Sequence, residues 1–275
     1  MCDHGGMSRR SVAIVVLLLL ALAPRAHAAP NYSRIFAGRD GCFEIYDLAS
    51  KKVVARYNPA HGAKRVSPCS TFKVPLSLMA FDAGLLQNEN SSFKWDGKRT
   101  SRPEWNHDQT AASWMRLSVV WFSQRLTPKL GMRRIKDYLA KFHYGNQDFS
   151  GGITQAWLES SLLISPDEQL RFWERFWRED LPVSKHAFQM TKRITFIGSS
   201  RRGWALSGKT GSGAVVRKDG KVLETSGWFV GHVGRGNRQY VFVTHYVDRS
   251  PRDTRPPGWI AREMTTKILQ ELGLS

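Results

Sequence analysis

The period of the hydrophobic pattern changes twice along these 275 residues, and few folds accommodate both changes. Gly41-Cys42-Phe43-Glu44-Ile45-Tyr46-Asp47 alternates and reads as a strand. Leu48-Ala49-Ser50-Lys51 is a turn, and Lys52–Tyr57 is the returning strand. From about residue 88 to 196 the pattern is helical, with stretches at Trp114–Leu130, Arg133–Phe142, Trp157–Leu163, Pro166–Trp177 and Ser184–Arg193. Ser165-Pro166-Asp167-Glu168 supplies a cap, a proline at the first helical position and two acids in the first turn. From Gly203 the period returns to two, at Trp204–Lys209, Gly227–Val233 and Gln239–Val247. Arg217-Lys218-Asp219-Gly220 marks a hairpin, and Gly258–Leu272 a closing helix. Strands at both ends with helices between predict an α+β fold in three layers. A central antiparallel sheet is expected from residues 29–66 and 197–275, flanked by terminal helices. An all-helical subdomain is expected over 67–196, the whole forming one domain.

The N-terminal segment reads as an export signal. Arg9 and Arg10 precede the apolar run Ser11–Leu22, and Ala26-His27-Ala28 is a small-x-small site. Cleavage is expected after Ala28, with Met7 a second possible start, and a periplasmic location follows. The apolar run is short for a membrane span, so no stable anchor is expected after cleavage. The formal charge of +18, of which a net +2 belongs to this segment, favours anionic partners. The basic residues are scattered (Lys51-Lys52, Arg133-Arg134, Lys192-Arg193, Arg201-Arg202) and carry no nucleic-acid motif, so a small anionic ligand is favoured over nucleic acid. Beyond the signal, Cys42 and Cys69 are the only cysteines, and export makes a bridge between them an expectation. It would stabilise the fold by roughly 3–4 kcal/mol in the chain-entropy model. Neither their spacing nor the histidine pattern offers a metal site.

Chemistry concentrates at Ser70-Thr71-Phe72-Lys73. Pro68 disfavours helix at Ser67. The apolar run Phe72, Val74, Leu76, Leu78, Met79, Phe81 reads as a buried helix ending near Gly84. Ser70 therefore belongs at a helix start, with Lys73 one turn on and within reach of its hydroxyl. A serine beside an amine base suits nucleophilic catalysis, and on its own is also an ordinary helix start.

Three further clusters follow: Ser118-Val119-Val120, Tyr144-Gly145-Asn146 and Lys209-Thr210-Gly211. In this order and spacing they resemble the serine penicillin-recognising superfamily, and within it the class D β-lactamases (oxacillinases). Ala156–Leu162 and Ile164–Gln169 resemble that family's segment around its active-site tryptophan, and Gly227–Gly231 its core strand. The resemblance spans about residues 41–248. It implies hydrolysis of β-lactam antibiotics through an acyl-enzyme on Ser70, with backbone amides of Ser70 and Ser212 as the oxyanion hole. Ser118 would relay a proton to the ring nitrogen, supported by Lys209. Thr210, Gly211 and Tyr144 would contact substrate. Lys73, set among apolar neighbours, would be carboxylated by CO₂ or bicarbonate, held by the Trp157 indole and kept dry by Val120. No other cofactor is implied. Many class D enzymes carry a carboxylate-binding arginine near the start of the last helix. Here that region reads Pro257-Gly258-Trp259-Ile260-Ala261-Arg262, which makes Arg262 the shifted candidate. The alternative is a penicillin sensor or penicillin-binding protein that acylates without turning over.

Overall fold

The structure, a computed structural model, describes residues 1–2 and 29–275; the expected signal segment lies outside the described residues. In chain order the elements are α1 (Tyr32–Phe36), β1 (Asp40–Asp47), β2 (Lys52–Tyr57), α2 (Pro59–Gly62), a 3₁₀ turn (Cys69–Phe72) and α3 (Lys73–Asp82). Next come β3 (Ser92–Phe93), a second 3₁₀ turn (Pro103–Trp105), β4 (Gln109–Thr110), α4 (Ala111–Leu117), α5 (Val120–Leu130) and α6 (Met132–Phe142). The rest are α7 (Pro166–Trp177), α8 (Lys185–Thr195), β5 (Phe196–Ser199), β6 (Ala205–Val216), β7 (Val222–Arg235), β8 (Arg238–Asp248) and α9 (Pro257–Glu271).

The six-stranded antiparallel sheet runs β2-β1-β8-β7-β6-β5, so the two chain ends meet where β1 pairs with β8. Both faces are covered, and the side-chain alternation shows how. On β7 and β8, Trp228, Val230, Val241 and Val243 join the core formed with the helical region. Phe229, Val233, Phe242 and Tyr246 pack with Ile260, Ala261, Met264 and Ile268 of α9. Strands buried on both sides read as nearly continuous apolar runs. The β3–β4 ribbon means that the middle region is not all-helical.

Two helical expectations fail for local reasons that matter to the site. Trp114–Leu130 is two helices, α4 and α5, because Ser118 adopts a left-handed conformation (φ 62°, ψ 36°) and its amide caps α4 by donating to Trp114 O. Trp157–Leu163 is a turn-rich loop whose backbone is held by side chains from elsewhere. Ser67 Oγ donates to Trp157 O (2.9 Å) and accepts from Glu159 N (2.9 Å). Asn146 donates to Ser161 O (2.8 Å) and accepts from Leu163 N (2.9 Å).

The expected disulfide is absent, and Cys42 and Cys69 are buried free thiols. Cys42 lies on β1 opposite His245 of β8. Cys69 packs near Gly213 of β6, across the breadth of β8 and β7. Three strand spacings are about 14 Å, whereas a bridge needs Cα atoms within about 7 Å. The melting temperature is therefore expected to be the same with and without a thiol reductant. A fall of several degrees on reduction would contradict the free thiols.

Candidate active site

The turn that carries Ser70 lies between the sheet and the helical region. Helix α3 is buried from Lys73 to Phe81 and presents no polar face. A lysine on a helix with a wet side would extend its amine into water; Lys73 has no such route and is fully buried. Its Nζ lies 3.2 Å from Ser70 Oγ. Desolvation, reinforced by the nearby charge of Lys209, holds the Lys73 amine well below the usual lysine range. The neutral amine is the form that can accept a proton. Ser70 stands in the 3₁₀ turn just before α3, so the expectation of a first-turn serine is met in tighter geometry.

Ser118, Lys209 and Thr210 come from two other elements. The left-handed bend at Ser118 sets its hydroxyl 3.0 Å from Lys209 Nζ, which also donates to Thr210 O at 2.9 Å. Lys209 is buried on β6, and its amine is pushed down to about 7 by desolvation and the charge of Arg102. A non-glycine residue held left-handed stores strain of order 1–3 kcal/mol, and such residues cluster at functional sites. Ser70, Ser118, Val120, Thr210 and Ser212 line one cleft of about 440 Å³, with Arg102 and Trp105 at its wall. The Ser212 hydroxyl accepts from Gly258 N (2.9 Å) and so ties β6 to the start of α9. Gly211 does not face the cleft. A Cβ there would meet Pro68 O, Thr71 Cγ2 and Trp228 Cδ1, all at 3.1 Å, so glycine is what lets β6 close on the Ser70 turn.

Trp157 is fully buried, stacked against Phe72 and Phe149 with ring centroids 5.4 and 6.0 Å away. Its Nε1 is a buried donor with no hydrogen-bond partner among the described residues. Such an atom costs about 1–3 kcal/mol unless something accepts from it.

Two further expected substrate contacts do not form. Tyr144 is fully buried; its hydroxyl accepts from Gln169 Nε2 (3.3 Å) and its ring packs edge-on against Phe172 and Phe72. It supports the Ser70 turn from behind, where Gln169 also donates to Thr71 Oγ1 (2.7 Å). Gly145 has φ +56°, and a Cβ on it would lie 2.0 Å from Leu163 O. Tyr144-Gly145-Asn146 is therefore a device for building the loop that carries Trp157. Arg262 is turned away from the cleft. It leans over the Phe229 ring (5.9 Å), on the α9 side of the sheet, and lines a separate recess with Trp204 and Leu206. Ser67 was not singled out in the sequence. Besides clamping the Trp157 loop it accepts from Trp228 Nε1 through its carbonyl (2.9 Å). A serine before a proline carries no signal of such a role. Arg102 and Trp105 at the cleft were also missed, because loop 94–110 has no periodicity to read, and so was Trp259, which the first turn of α9 brings to the cleft.

A family model for the penicillin-binding protein transpeptidase domain matches residues 41–270. The chain is 42% identical over 219 residues to "Beta-lactamase OXA-1" of Escherichia coli, covering 77% of this chain and 78% of that one. It belongs to the class D β-lactamases. Among solved structures, this β-lactamase is similar to "Class D beta-lactamase BAT-2" (TM-score 0.79, 37% identity, 89% of this chain and 96% of that one). It is also similar to the C-terminal domain of the Bacillus licheniformis BlaR penicillin-receptor (TM-score 0.81, 31% identity, 89% and 95%). The enzyme's antiparallel sheet and helical layers are those of the penicillin-recognising fold.

Proposed function

We propose that this β-lactamase turns over through a carboxylated Lys73. The observation that carries the reading is two buried groups linked through Phe72, which precedes Lys73 in the chain and stacks on Trp157. The Lys73 amine lies 3.2 Å from Ser70 Oγ and is held well below the usual lysine range, and the buried Trp157 Nε1 donor has no partner among the described residues. A neutral amine adds CO₂, and the resulting carbamate is an acceptor for that donor; when present it supplies an oxygen base of carboxylate type. Ser70 Oγ then loses its proton to the Lys73 side chain and bonds to the lactam carbonyl carbon. The ring C–N bond breaks, and the nitrogen takes a proton through Ser118, which Lys209 supports. Water, activated in the same way, cleaves the ester to the ring-opened acid and frees Ser70. Backbone amides of Ser70 and Ser212 serve the oxyanion, each such donor being worth about 10²–10³-fold in rate. Val120 and the buried face of α3 keep the base dry. Export to the periplasm through residues 1–28 belongs to the same proposal.

Time-resolved mass spectrometry with a penicillin tests turnover. A transient adduct that decays with product release supports it. The likeness to the BlaR penicillin-receptor motivates the second reading, acylation without release, and an adduct stable over hours would establish that reading instead. A ¹³C carbamate resonance in enzyme equilibrated with labelled bicarbonate tests the base directly.

Ser118→Gly separates catalysis from folding. Glycine adopts the φ of 62° without strain, so stability is expected to rise by about 0.5–1 kcal/mol. Loss of the proton relay is expected to lower kcat by about 10²-fold. A variant with unchanged kcat would remove Ser118 from the relay.

A further inference from the structure

With Arg262 outside the cleft, another group must meet the negative charge of the substrate. We propose that Arg102 is the carboxylate-recognising residue of this enzyme, and hence a determinant of its substrate preference. Arg102 lines the same cleft as Ser70, Ser118 and Thr210. Ser118 marks where the leaving ring nitrogen lies in the proposed reaction, and a penicillin carries its carboxylate on the carbon next to that nitrogen. Arg102 is close enough for its charge to be felt at both Lys73 and Lys209.

The guanidinium is prepared in advance. It stacks over Trp105 with 4.8 Å between its carbon and the ring centroid. That ring is fixed, since Trp105 Nε1 donates to Leu117 O (3.0 Å) and Trp105 O accepts from Trp121 Nε1 (2.9 Å). Asn106 holds the loop closed by accepting from Thr100 N (2.8 Å) and donating to Thr100 O (3.1 Å). Arg102 Nε donates to Glu104 Oε1 (2.9 Å), Nη2 lies 2.9 Å from the same oxygen as an ion pair, and Nη1 makes no bond among the described residues. Half of a planar fork is thus available to a carboxylate. The Arg102 side chain is 38% exposed, so an anion arriving from solvent can reach it.

Two sources share this chemistry: the carboxylate beside the ring nitrogen and a carboxylate on the acyl side chain. Steady-state KM and kcat should be measured for benzylpenicillin, its methyl ester and carbenicillin, with wild type, Arg102→Ala, Arg102→Lys and Glu104→Gln. Arg102→Ala is expected to raise KM for the acids by about tenfold, with a smaller change in kcat, and to narrow the preference for acid over ester by the same factor. Arg102→Lys should recover part of the loss. Glu104→Gln, which frees the guanidinium from its competitor, should lower KM. A penalty on benzylpenicillin locates the ring carboxylate; a penalty confined to carbenicillin locates the side-chain carboxylate. Equal penalties on acid and ester, or none on either acid, would overturn the proposal. It rests on Ser70 being the acylation site. If the enzyme acylates without turnover, the same ratios are read from acylation rates by mass spectrometry, so the two failures remain distinct.

Discussion

Replacing Lys73 by alanine is expected to leave a folded protein that has lost about 10³-fold or more in kcat for nitrocefin, within the range attributed to general-base catalysis. The fold should survive because the amine contributes little to it. Among the described residues Lys73 is buried without an ion-pair partner, and its amine donates to Ser70 Oγ at the proposed reacting centre. Removing it leaves a small cavity but also removes the cost of a desolvated polar group, and these terms oppose each other. Wild-type activity should fall on degassing at low pH, where protonation competes with CO₂ for the amine, and return when bicarbonate is added. The alanine variant should show no response to bicarbonate. Near wild-type hydrolysis by Lys73→Ala would end the case for Lys73 as base.

Trp157→Phe is the finer test, because it removes one donor and keeps a stacked ring. Phenylalanine can still pack between Phe72 and Phe149. Since Nε1 has no partner among the described residues, no hydrogen bond among them is lost. Stability should change by no more than about 1–2 kcal/mol, from the reduced ring volume. Turnover should nevertheless fall by about 10–100-fold, as is typical when a group that orients a bound ligand is removed, and millimolar bicarbonate should restore much of it by mass action. A tryptophan that served packing alone would give the opposite pattern: a measurable drop in melting temperature, unchanged kcat and no response to bicarbonate. Circular dichroism melts and nitrocefin kinetics with and without bicarbonate distinguish the two.

These tests differ in how much of their basis was open to inspection in the sequence. The strands at 41–57 and 204–247 and the helix after Ser70 could be read, because each carries a periodic apolar pattern over many residues. The start of α7 could be read to the residue. Ser165 and Glu168 form a reciprocal cap, with Glu168 N donating to Ser165 Oγ (3.2 Å) and Ser165 N donating to Glu168 Oε2 (2.9 Å). The break at Ser118 could not, since the apolar spacing from Trp114 to Leu130 continues across it. The Trp157 loop could not either: its turns are imposed by Ser67 and Asn146, which lie far away in sequence.

For the site, sequence by itself determined the proximity of Ser70 and Lys73 and the order of the later clusters, because residue type and helical spacing bring the two side chains together whatever surrounds them. Only the tertiary structure decided the state of the Lys73 amine. It is held well below the usual lysine range because α3 is buried from Lys73 to Phe81 and Lys209 arrives from a strand far along the chain, and desolvation and charge depend on what packs around a residue. The structure alone also moved Tyr144 behind the site, turned Arg262 away and kept Cys42 and Cys69 strands apart. Each of these depends on which side of a layer a residue faces, and a local pattern does not specify that when both sides of the sheet are buried.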